Sequence, residues 1–178
     1  MQQMLANLRA RREDERGFTL IELMVVVLII AILIAIAIPT FLGAKSRAQD
    51  KAAQSSLRNA LTNAKGIYTD QDSYLGATTT ALVAAEPSLT FTAGASASAK
   101  NVSVQTSATS IVLAAKSAGG QCFIIADVNT GGTVFATMTS GTACDASSVT
   151  LPLTVPATPS ANAAAGSTIA TPAWASAW

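Results

Sequence analysis

The sequence predicts an α+β architecture: a long N-terminal α-helix packed on a small antiparallel β-sheet head. Three observations carry this expectation. Residues 18–38 form an almost unbroken apolar block. Apolar positions at helical spacing continue beyond it, through Leu57, Leu61, Ala64 and Ile67 or Tyr68. From Val102 onward, runs of strand length alternate with turn residues. These signals divide the chain into a charged segment 1–17, a helix 18–70, a connecting loop 71–100, a sheet 101–151 and an Ala/Ser/Thr/Pro-rich tail 152–178.

Each element has a local cause. In 1–17, Arg9, Arg11, Arg12 and Arg16 stand beside the apolar block, and such arginines hold their end of a membrane segment in the cytoplasm. Glu13, Asp14 and Glu15 dilute the charge without changing that orientation, because the rule counts basic residues. Leu23 to Ile38 is uninterruptedly apolar, and with Phe18 to Ile21 it reaches the roughly 20 residues that cross a bilayer. The chain is too short to wrap an all-round apolar helix, so insertion into a membrane is expected. Glu22 lies inside this block, where an ionised carboxylate costs roughly 2.5 to 3.5 kcal/mol, so it needs a partner unless it reaches the headgroups. Pro39 removes a backbone donor and clashes with the preceding turn, which predicts a helix break or kink near Ala35 to Ile38.

Past Gly43 the helix turns amphipathic, with Lys45, Arg47, Asp50, Lys51, Arg58 and Lys65 on its other faces. A continuous rod to about Thr69 would measure on the order of 75 Å, so its apolar half must lie in lipid or against copies of itself. Asp70, Gln71, Asp72, Ser73 and Gly76 mark the helix end. Asp70 and Asp72 are read as solvated loop residues rather than calcium ligands, two carboxylates being too few. The segment 76–99 reads as loop with one short strand or turn of helix. A meander of four antiparallel strands follows: Val102–Gln105, Ser110–Ala114, Cys122–Val128 and Thr133–Met138. One apolar face of this sheet would cover Leu57, Leu61 and Ile67. Asn101-Val102-Ser103 fits a glycosylation sequon, a pattern that also arises by chance. The tail reads as mobile, with Trp174 and Trp178 as the alternative, packing anchors on the head or a neighbour.

Composition narrows the function classes. The chain has 178 residues, half of them hydrophobic, enough for one modest domain beside the N-terminal segment. Loss of residues 1–17 would remove four arginines and three acidic residues from eleven basic and ten acidic, leaving seven of each. A neutral chain offers no electrostatic footprint for duplex DNA. There is no histidine, the commonest general base and metal ligand, no cofactor motif, and no base identifiable beside any serine, which argues against an enzyme. Cys122 and Cys144 cannot by themselves make a tetrahedral zinc site, and in an exported domain they read as a disulfide. The hairpin brings Cys122 opposite the region near Thr139, within a short turn of Cys144.

Gly17-Phe18-Thr19-Leu20-Ile21-Glu22, behind a basic leader and ahead of an apolar run, resembles the class III signal of type IV pilins. The likeness covers Gly17 to about Tyr68. It implies cleavage after Gly17 by a prepilin peptidase, methylation of the new N-terminus Phe18, and pairing of Glu22 with the Phe18 amine of a neighbouring subunit, which would set subunit register. It implies a local melting of the helix upstream of Pro39 that lets a filament stretch. The acidic run in the leader departs from the plainly basic leaders of many pilins.

The function expected is therefore assembly. The chain would be a single-pass protein of the cytoplasmic membrane, then a homo-oligomeric helical filament on the cell surface, built by the pilus assembly machinery and used for adhesion, twitching motility or DNA uptake. Only the last use would make DNA a partner. The alternatives are a pseudopilin of a type II secretion system, which shares this N-terminus, and a membrane-tethered binding domain that forms no filament.

Overall fold

The computed structural model describes residues 18–138, 143–149 and 174–178. The leader 1–17, with the predicted cleavage residue Gly17 and the orienting arginines, lies outside the described residues, as does most of the tail. The chain divides into two units, residues 1–44 and residues 45–178.

Helix α1 runs from Leu20 to Gln71, 52 residues. The break expected at Pro39 does not interrupt it: Pro39 lies inside the helix. Beside it the Thr40 hydroxyl donates to the carbonyl of Ala37 at 2.8 Å, with Ile36 at 3.4 Å, a back-bonding that bends a helix without ending it. The helix ends where Asp72 takes a left-handed backbone (φ 50°) and its N–H donates to the carbonyl of Tyr68 at 2.7 Å. A residue in that conformation turns the chain out of the helix.

In the second unit the predicted meander is present, enlarged by one strand. Strands β1 (Thr90–Thr92), β2 (Asn101–Thr106), β3 (Ser110–Lys116), β4 (Cys122–Val128) and β5 (Gly132–Met138) form one sheet in sequence order. Pairs β2–β3, β3–β4 and β4–β5 are antiparallel, while β1 runs parallel to β2 at the edge. The 71–100 segment is more structured than a loop. Tyr74–Gly76 is a 3-10 turn capped by Ser73, and helix α2 spans Thr79–Ala85, its start capped by the Thr78 hydroxyl accepting from the Ala81 N–H at 3.2 Å. Threonines that look loop-like in composition here serve as a cap.

Ala53, Leu57, Ala60, Leu61 and Ala64 form one stripe of α1 and are buried against Val102, Val104, Ile111, Leu113, Phe123 and Ile125 of the sheet. The sheet was expected to be apolar on one face; it is buried on both. Val112, Ala114, Ile124, Ala126, Val134 and Ala136 face away from α1 and are covered by Cys144, Ala146, Val149 and Trp174. This accounts for the uninterrupted apolar runs of β3 and β4, where a half-exposed strand would alternate.

The covering segment is fastened at several points. Cys122 and Cys144 are disulfide-bonded with Cα atoms 5.5 Å apart, and Cys122 stands opposite Met138. Ser103, fully buried, accepts from the Ala146 N–H at 2.9 Å, and the Cys144 carbonyl accepts from the Ser96 N–H at 2.7 Å. The sequon is thus part of this packing: its serine lies inside, and the Asn101 amide bonds the Ala97 N–H and the Thr90 hydroxyl.

Residues 174–178 correct the expectation of a mobile tail at that end. Ala175 pairs with Phe135 through two backbone hydrogen bonds of 2.8 and 2.9 Å, extending the sheet at the β5 edge. Trp174 is buried on one face, and Trp178 lies on the other, edge-on to Phe123 and Phe135, beneath the Arg58 guanidinium, with its indole N–H donating to the Ala136 carbonyl at 3.0 Å. Two indoles and an open strand edge both gain from this contact.

One buried charge ties helix to sheet. Asp127, on the α1-facing side of β4 and almost fully buried, accepts from the Lys65 ammonium at 2.7 Å and from the hydroxyls of Tyr74 and Thr133, each at 2.5 Å. Burial pushes its carboxyl up, but the hydrogen bonds from Lys65, Thr133 and Tyr74 outweigh that and hold it below its ordinary 3.8. Burial and the adjoining carboxylate push the Tyr74 phenol well above its ordinary 10.0.

Because the Asp127 value is lowered on folding, its contribution to stability is present above an ordinary carboxyl value and lost as pH falls through the folded value. The raised Tyr74 contributes fully below about 10 and loses that contribution as pH rises further. Thermal unfolding of the full chain in detergent micelles should therefore show a plateau from about pH 5 to 9 with a fall on either side. Tyr74→Phe should cost about 2 kcal/mol, since a hydrogen bond to a charged acceptor is lost; it should shrink the alkaline fall most and the acid fall in part, because Lys65 and Thr133 still hold the Asp127 carboxyl down. Paired Cys122→Ser and Cys144→Ser substitutions should cost about 3 kcal/mol, the value for a closed loop of this order, read from denaturant midpoints.

Candidate functional site

The chemistry-bearing stretch is the start of α1. Phe18 and Thr19 precede the helix, and Phe18 is 88 % exposed. Thr19 is the N-cap: its carbonyl accepts from the Leu23 N–H at 3.2 Å, and its hydroxyl oxygen accepts from the Glu22 N–H at 3.2 Å. Glu22 answers it, Oε2 accepting from the Thr19 N–H at 2.9 Å and from the Thr19 hydroxyl at 2.7 Å. This is a capping box, Thr-x-x-Glu, in which each side chain satisfies a backbone donor that the first helical turn leaves free. The reading of Glu22 as a carboxylate in search of a partner overlooked this internal one. The signal was present in the spacing of Thr19 and Glu22, three residues apart.

Behind the box, every large apolar side chain from Phe18 to Leu42 is exposed, from 47 % at Ile30 to 88 % at Phe18. The described chain therefore supplies no cover for this half of the helix. It is long and apolar enough to cross a membrane. Glu22 stands at its start and Pro39 near its far end, 17 positions apart on one helix. The structure thus places Glu22 and Pro39 in a single element with Phe18 two residues before its start, and places Cys122 and Cys144 in the other unit as a staple of the head. No group of three or more His, Cys, Asp or Glu side chains that could hold a metal ion occurs among the described residues.

Asp127, Lys65 and Tyr74 form a polar cluster that sequence reading did not single out. Its groups are bonded to one another and its carboxylate is buried, so it serves to join elements. Nothing in the local pattern of β4 would have shown Asp127 facing inward rather than ending a strand.

Compared with known proteins, residues 13–38 match the prokaryotic N-terminal methylation motif. No curated protein and no solved structure matches the chain. The matched stretch contains the capping box and the apolar run up to the residue before Pro39. The chain thus carries the N-terminal methylation motif, the class III signal peptide of type IV pilins and pseudopilins, at the start of the long helix of an α+β fold.

Proposed function

We propose that this chain is a prepilin whose mature form is a structural subunit of a type IV pilus. The observation that supports this reading above the others is the methylation motif lying on a stretch, up to Leu42, whose large apolar residues are all exposed. A membrane covers such a helix first, and the same helices of other copies cover it in a filament. The motif implies processing by a prepilin peptidase and delivery to a filament assembly machinery.

In this reading the bond between Gly17 and Phe18 is hydrolysed: one water adds, leaving a carboxylate on Gly17 and a free amine on Phe18, which then takes a methyl group from a sulfonium methyl donor, releasing a thioether and a proton. The Phe18 ammonium of one subunit pairs with the Glu22 carboxylate of the next, away from water, and sets the axial register. Pro39, which leaves one carbonyl of its helix without a backbone donor, is where the rod yields under tension. The disulfide-stapled head forms the outer surface. Adhesion, twitching motility and DNA uptake are the roles open to such a filament.

Mass spectrometry of the mature chain should find methylated Phe18 at the N-terminus; an intact Met1 or an end after Ile38 would refute the reading. Glu22→Gln removes the charge while keeping a capping acceptor. That variant should be inserted and cut normally, yet yield about ten-fold fewer filaments or less, because the amine of a neighbour would be buried unpaired. Filaments of normal density and length from this variant would rule out the register role. Long surface filaments in electron micrographs would separate a pilus from a secretion pseudopilus.

A further inference from the structure

We propose that Thr19 is a positioning residue for leader removal: the Thr19–Glu22 box fixes the helix start so that Phe18, and with it the bond to be cut, stays outside the helix. This rests on the processing reading given above. A protease takes its substrate as extended backbone, whereas a peptide bond within a helix has its N–H and carbonyl engaged and its backbone wrapped in side chains. The helix start therefore decides whether the bond is presented.

Hydrocarbon pushes that start upstream. An unpaired backbone donor in a membrane costs several kcal/mol, so an apolar helix entering lipid gains by extending until its donors are paired. Upstream of Leu20 the sequence has no proline to stop such growth. The box removes the drive locally. The Glu22 N–H is held by the Thr19 hydroxyl and the Thr19 N–H by the Glu22 carboxylate, so two of the donors that would otherwise recruit upstream carbonyls are already paired. Phe18, the residue just before the cap, is outside the helix and 88 % exposed. The same bonds give the carboxylate of Glu22 a partner within its own chain while the protein is still a single copy in the membrane.

The test uses the full chain in membranes with prepilin peptidase. Thr19→Val is nearly isosteric and deletes the hydroxyl; it should slow leader removal about five-fold, the worth of one side-chain cap. Thr19→Ser should restore the wild-type rate. In detergent micelles, the carbon-13 shifts of the full-length Thr19→Val chain should show the helix start displaced from Leu20 and the Glu22 amide exchanging faster with solvent. Thr19→Val cut at the wild-type rate, or slowed with its helix start unchanged, would overturn the proposal. Failure of the peptidase to cut the wild-type chain at all would instead sink the prepilin reading, and the micelle measurement would still decide whether the box sets the helix start.

Discussion

Helix α1 is asked to satisfy two incompatible surroundings along one axis, and the rest of the molecule follows from that. Its first half presents Leu, Ile, Val and Met on every side and finds no cover within the described chain. Its second half narrows its apolar surface to a stripe of alanine and leucine, which a sheet from the same chain can bury. An exposed surface of the first kind is the mark of a segment that contacts a membrane or another protein. The head has the opposite requirement: with its apolar surface already covered, it can remain in water.

The head achieves this with few aromatic residues by burying its sheet twice over. One face of β2 to β5 takes the α1 stripe, and the other takes the segment 143–149 and Trp174. Sheets buried on both sides are sensitive to the loss of either cover, so each cover is tied. On the α1 side the tie is the Lys65–Asp127 pair with the hydroxyls of Tyr74 and Thr133; on the other it is the disulfide with the Ser96 and Ser103 hydrogen bonds. A buried carboxylate is costly unless its lone pairs are used, and Asp127 uses them on three donors.

At the start of α1, Glu22 gains a second character. An acidic residue among apolar ones invites a search for a distant cation, and the motif match keeps that role open in the assembled state. The nearer partner is Thr19, three residues back on the same chain. A carboxylate with an internal partner can enter the membrane in a single copy at lower cost than a bare one, and can exchange that partner later.

Much of this was legible in the residues because it depends on neighbours in sequence. The helix from its 3.6-residue spacing, the strands from their length and apolar content, the helix end at Asp72, and the proximity of Cys122 and Cys144 across a hairpin all follow from local rules. The capping box was legible too, in the spacing of Thr19 and Glu22, and so was the two-sided burial, in the unalternating runs of β3 and β4. What the sequence could not decide was which distant groups meet. That Asp127 faces Lys65 from across 62 positions, that β1 joins β2 in parallel, and that Ala175 closes the β5 edge between two tryptophans depend on sheet register and on chain return. Those are properties of packing between segments far apart in the chain, where the identity of one residue says nothing about the other until the backbone has brought them together.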